Sequence, residues 1–156
     1  MTKLLTVIAT LCLTTALAGP LQAKELFKAK LSGGNEVPPV ETDTSGRAFL
    51  RLNNSETRFE ITLRVRDGED ITQAHIHCAP EGSNGAVVVF LAGLNVMGHD
   101  VDGKWISEAS FESDDIINDA CGATTEELAQ SMRDGLAYVN VHSVINPRGE
   151  IRGQLK

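Results

Sequence analysis

Gly46-Arg-Ala-Phe-Leu-Arg-Leu-Asn-Asn-Ser-Glu-Thr-Arg-Phe-Glu-Ile-Thr-Leu-Arg-Val65 is the stretch that decides the fold class. Its flanks, residues 46–52 and 57–65, alternate apolar and polar at period two, the pattern of a strand with one buried and one solvated face. The polar spacer Asn53-Asn-Ser-Glu56 reads as a hairpin turn, since Asn and Ser side chains hydrogen-bond neighbouring backbone and tolerate tight-turn geometry.

The same alternation extends in both directions. Residues 25–31 form an expected first strand and residues 71–77 a fourth. Residues 86–91 are continuously apolar, so the fifth strand is expected to be buried on both faces. Residues 104–111 make a sixth, entered through an Asp102-Gly103 turn, and residues 137–143 and 149–155 make the last two, joined by Asn146-Pro-Arg. One helix is signalled. Thr124 caps it, Glu127 three residues later completes a capping box, and Leu128, Met132 and Leu136 recur at helical spacing. About eight short strands with one short inserted helix and no βα alternation predict an all-β fold, a Greek-key β-sandwich or barrel.

The first 23 residues have a different character. Lys3 precedes an apolar run from Leu4 to Ala18, and small-residue exits follow at Ala16-Leu-Ala18 and Ala23, the three parts of an export signal. Cleavage is expected after Ala23, leaving residues 24–156 as one domain in the periplasm or outside the cell. The run is shorter than the ~20 residues of a membrane-spanning helix. Losing Lys3 leaves 13 basic against 21 acidic residues, a net charge of −8. That balance, with no run of lysine or arginine, argues against nucleic acid or an anionic membrane as partner. Cys12 leaves with the signal. Cys78 and Cys121 are then expected to pair, closing a loop of about 40 residues for roughly 3–4 kcal/mol. The alternative use of Cys78, next to His77, is as a thiolate ligand.

The strongest chemical signal is Ala74-His-Ile-His77. Residues two apart on a strand share a face, so His75 and His77 project together and can grip one small metal ion. Ala137-Tyr-Val-Asn-Val-His-Ser143 puts Tyr138, Asn140 and His142 on one face of another strand. If the two strands are neighbours, His142 supplies a third imidazole, a set suited to copper or zinc. Glu36, Asn140 and Tyr138 are candidates to support those ligands from behind. His99, in a loop, is expected at the surface. The paired strand histidines resemble those of copper–zinc superoxide dismutase, but four histidines are too few for its dinuclear site. No nucleophile elbow, phosphate loop or paired Cys-x-x-Cys is present, and no catalytic residue is assigned. Glu150 and Arg152 share a strand face and are expected to form an internal charge cluster.

Five ordered segments together resemble the CHRD domain: residues 31–40 (Leu-Ser-Gly-Gly-Asn-Glu-Val-Pro-Pro-Val), 71–77, 82–89, 138–143 and 147–154. The resemblance implies an exported lone β-domain of the bacterial kind, and its motifs contain His75, His77 and His142. Three functions follow as expectations. The first is an extracytoplasmic binding protein with a mononuclear copper or zinc site. The second is a metal-free protein-interaction module, and the third is a mononuclear metalloenzyme of dismutase-like type.

Overall fold

The computed structural model describes residues 25–156. The export signal read at residues 1–23, with Cys12, lies outside the described residues. Eight strands, β1 (Glu25–Ser32), β2 (Ser45–Leu52), β3 (Arg58–Gly68), β4 (Ile71–Cys78), β5 (Ala86–Ala92), β6 (Val101–Glu112), β7 (Ala137–Ser143) and β8 (Ile151–Gln154), form one antiparallel sheet, and α1 (Thr125–Arg133) is inserted before β7. The sheet order is β5-β4-β7-β8-β1-β2-β3-β6.

The hairpin anticipated at 46–65 forms in full register, from Ser45 opposite Arg66 to Leu52 opposite Phe59. Asn53 organises its turn: Oδ1 accepts the backbone N–H groups of Thr57 and Arg58 at 2.9 and 3.2 Å. One short connection then closes the architecture. Only Glu69 and Asp70 separate β3 from β4, yet these strands hold the seventh and second places in the sheet. Five strand spacings across a flat sheet would be ~24 Å, whereas the three peptide steps from Gly68 to Ile71 reach ~10 Å. The sheet must therefore fold over on itself. The result is a nearly closed barrel with its seam between β5 and β6.

The interior receives one face of every strand. Phe27, Leu31, Leu50, Phe59, Leu63 and Ile76 are buried there, with Leu128 and Met132 of α1 packed against them. Phe59 is sandwiched between Phe27 and Phe111, with ring centroids 6.1 and 4.9 Å away. The capping box of α1 is present as expected, Thr124 Oγ1 accepting the Glu127 N–H at 3.2 Å.

Four expectations are corrected and one grouping is new. β5 is an edge strand, fully buried only at Val88 and Val89 and exposed at Phe90, so its apolar run marks burial on both faces only at its centre. Asp102-Gly103 lies inside β6, where the strand's register against β3 is irregular, rather than at a turn before it. The helix ends at Arg133 because Gly135 takes φ 72°, a left-handed conformation that terminates helices, and Leu136 falls outside it. The last strand is shorter than expected, beginning at Ile151. Finally, the basic residues, dispersed along the chain, are gathered in space on the outer face of β1, β2, β3 and β6, where Lys30, Arg47, Arg64 and Lys104 align. Among the described residues no helix is long and apolar enough to cross a membrane.

Candidate metal centre

Strands β4 and β7 are hydrogen-bonded neighbours, with His75 opposite Asn140 and His77 opposite Tyr138. Directly opposed residues share a sheet face. His75, His77, Tyr138, Asn140 and His142 therefore form one polar panel, continued on β8 by Arg152 opposite Asn140. Arg152 lies opposite Ser32, which alternates with the inward Leu31. The panel is thus on the outside of the barrel. Even so, His75, His77 and His142 are only 3%, 8% and 4% exposed. Chain segments pack over them: Glu36 reaches in from the β1–β2 connection, Asn84 Nδ2 donates to the Val37 carbonyl at 2.7 Å, and Pro147 comes from the β7–β8 turn.

Within this cover the rings have defined tautomers. His77 Nδ1 lies 3.0 Å from the Gly85 carbonyl and His142 Nδ1 lies 3.1 Å from the Pro147 carbonyl. A carbonyl only accepts, so both Nδ1 atoms carry the proton and both Nε2 atoms present a lone pair. His75 Nδ1 sits 3.0 Å from His142 Nε2 and must be the donor in that contact. Its own Nε2 is then also a bare lone pair. Among the described residues, three buried side-chain polar atoms have no hydrogen-bond partner, and two of them are His75 Nε2 and His77 Nε2. Leaving a buried acceptor unsatisfied costs about 1–3 kcal/mol, so an apolar or fully bonded arrangement would be the more stable one unless a ligand occupies the site.

The three residues form the one group of metal-ligating side chains found among the described residues, with one nitrogen from each within 4.8 Å of the others. Two nitrogens ~2.0–2.1 Å from one ion lie at most ~4 Å apart. The His75 Nδ1–His142 Nε2 distance of 3.0 Å already meets that limit, with His75 ligating through Nδ1 once its proton moves to Nε2. The full set is slightly wide, and closure needs a ring shift of roughly 1 Å. Anchoring of the non-ligating nitrogen by a backbone carbonyl, as on His77 and His142, is the usual way a protein aims a metal-binding imidazole. The donor set and its unfilled lone pairs therefore fit a single ion.

The electrostatics agree. Burial lowers the His75 pKa to about 3, helped by repulsion from His142 and His77. Burial lowers His142 to about 4 against the Pro147 hydrogen bond, and lowers His77 as well. All three rings stay neutral and nucleophilic at physiological pH.

The remaining candidates are distributed around the triad. Tyr138 stacks on His77, ring centroids 4.9 Å apart and planes 11° off parallel, and its Oη accepts the Gly85 N–H. Asn140 donates to Glu36 Oε1 at 2.5 Å and to the Ile151 carbonyl at 3.0 Å. Glu36 thus touches Asn140 rather than a ring nitrogen, and burial raises its pKa to about 7. Cys78 is bonded to Cys121, with Cα atoms 5.5 Å apart, which removes its alternative use as a thiolate ligand. His99 is exposed, as expected.

A family model for the CHRD domain matches residues 27–155. The chain belongs to the CHRD family. A comparison with curated proteins found no match, and neither did one with solved structures. CHRD membership and the Cys78–Cys121 disulfide fit an extracellular protein.

Sequence reasoning missed several residues of this CHRD site. Arg152 is 2% exposed, stacks its guanidinium 3.4 Å above the Tyr138 ring, and donates to Asn84 Oδ1 and the Pro80 carbonyl. It therefore continues the His77–Tyr138 stack and does not pair with Glu150. Glu150 is held instead by Thr42, Ser143 and Asn146. Burial alone would raise its pKa, but those donors together outweigh burial and lower it. Phe90 sets its ring edge-on to His75 at 4.6 Å. Alternation puts Arg152 on the right face, but the carbonyls of Gly85 and Pro147 come from loops whose course no periodicity reveals.

Proposed function

We infer that the protein is an extracytoplasmic binding module whose His75, His77 and His142 together hold one copper or zinc ion. The observation that carries this reading is the pair of buried, partnerless Nε2 atoms on His75 and His77 beside the 3.0 Å His75–His142 contact. Copper is preferred, because nitrogen sites bind Cu(II) more tightly than Zn(II). Such a metal would serve as a bound cargo or a structural clamp on the loop cover. Tyr138 and the two backbone carbonyls would hold the rings in place.

A metal-free interaction module is favoured by the three ring hydrogen bonds, which a purely structural network would also make. Against it stand the two unsatisfied lone pairs. Calorimetric titration of the purified protein with Cu(II) and Zn(II) separates the readings. One equivalent bound by the wild type and none by His75→Ala/His77→Ala is the expected result. Equal binding by both proteins, or by neither, would leave the interaction module standing.

A further inference from the structure

A second feature is independent of the histidines. On the outer face of the opposite half of the barrel, Lys30 stands opposite Arg47, Arg47 opposite Arg64, and Arg64 opposite Lys104. Four consecutive strands thus contribute four cations to a single cross-strand row, ~14 Å long at the usual strand spacing. All four are exposed, and among the described residues none takes part in an ion pair. Arg66 lies in the adjacent row and, with Lys30, Arg47 and Arg64, lines a shallow cleft of about 270 Å³.

Like charges directly opposed on a sheet repel and destabilise it. Elsewhere on the same face the fold uses pairing: Arg51 meets Glu60 at 3.8 Å and Arg58 meets Glu112 at 3.3 Å. The protein is acidic overall, so acids were not scarce. Glu41, Asp43, Asp67, Glu69, Asp100 and Asp102 are instead collected around a separate cleft at one end of the barrel. The row is therefore an unneutralised strip in a protein with negative charge to spare.

We propose that this row is the docking surface for an anionic polysaccharide, whose repeated sulfate or carboxylate groups take the place of the missing acids. Arginine forks accept such oxyanions in bidentate fashion, and a linear chain lying across the strands meets one cation at each strand spacing. The shape argues against other polyanions. Phe49 is the one aromatic on this stretch of face and is half-buried, which is no stacking platform for nucleic-acid bases. Among the described residues no exposed tryptophan or tyrosine flanks the row to enter a lipid surface.

The test uses the purified protein at low ionic strength against heparin as the sulfated probe, polyuronic acid as the carboxylated one, and neutral dextran. Arg47→Glu/Arg64→Glu should weaken binding at least tenfold, and Arg47→Gln/Arg64→Gln severalfold, with unchanged melting temperatures. Arg58→Glu/Arg148→Glu, of equal charge change but away from the row, should stay within twofold of wild type. His75→Ala/His77→Ala should also bind normally, which separates this result from the fate of the metal site. Tighter binding of heparin than polyuronate, or the reverse, assigns the anion. The proposal is overturned if wild type binds neither probe better than dextran, or if both charge-reversed pairs weaken binding equally. It is also overturned if anionic phospholipid vesicles or single-stranded DNA bind this face as tightly as the glycans, or if the row variants lose only self-association.

Discussion

Metal binding by the three buried imidazoles, if the proposed function holds, should stabilise the fold by an amount that can be worked out beforehand. At a free metal concentration of 100 Kd, the native state gains RT ln 101, about 2.7 kcal/mol. Unfolding entropy near 2.1 cal/mol/K per residue over the domain gives about 0.28 kcal/mol/K, so the melting temperature should rise by roughly 10 °C. His77→Ala removes the ligand anchored by Gly85. Losing a group that merely supports a ligand weakens metal sites about 10–100-fold, so losing the ligand should cost at least that. At the same metal concentration the remaining stabilisation is about 1.4 to 0.4 kcal/mol, a rise of roughly 5 to 1.5 °C. Each protein is compared with its own metal-free form by scanning calorimetry, so any intrinsic cost of the substitution cancels. The pH dependence sharpens the test. An ordinary imidazole of pKa ~6.5 is protonated at pH 5 and loses about 1.5 log units of affinity per ring. His75 and His142, held to about 3 and about 4, are still neutral there. The metal-induced shift should therefore persist at pH 5. An equal shift in wild type and His77→Ala, or its disappearance between pH 7 and pH 5, would refute the reasoning.

Three further outcomes follow. Glu36 has its pKa raised to about 7, so the stability it contributes is present below pH 4.5 and is lost as pH rises through 7. Metal-free Glu36→Gln, which keeps the Asn140 hydrogen bond, should match wild type near pH 4 and exceed it by about 3 kcal/mol or less at pH 8 in urea unfolding; a pH-independent difference would contradict this. Gly149 has φ 147°, and an added Cβ would lie 2.6 Å from Glu36 Oε2. Gly149→Ala should therefore cost about 2 kcal/mol or more, and distinctly less in a Glu36→Ala background, as a double-mutant cycle of unfolding free energies will show. Replacing both cysteines by alanine opens a loop whose ends are 43 residues apart and should cost roughly 4 kcal/mol in chain-entropy terms, measured by denaturant unfolding. A loss under 1 kcal/mol would show that the bridge does not restrict the unfolded chain in that way.

Alternation by itself determined the all-β class, the 46–65 hairpin, the single capped helix and the shared faces of His75 with His77 and of Tyr138, Asn140 and His142. These are local properties, set by the two-residue period of a strand and by side chains that bond their own backbone. The order of strands was not local. That β4 and β7 are neighbours, and so that His142 meets His75, is a pairing between residues 67 positions apart in the chain, and no periodicity encodes that. The apolar run of β5 misled for the same reason, because an edge position is a property of the sheet and not of the strand. The loops that bury an outward-facing polar panel, the carbonyls that fix the tautomers, and the alignment of Lys30, Arg47, Arg64 and Lys104 likewise depend on pairings between distant segments. Side-chain direction was written in the sequence; side-chain company was decided by the fold.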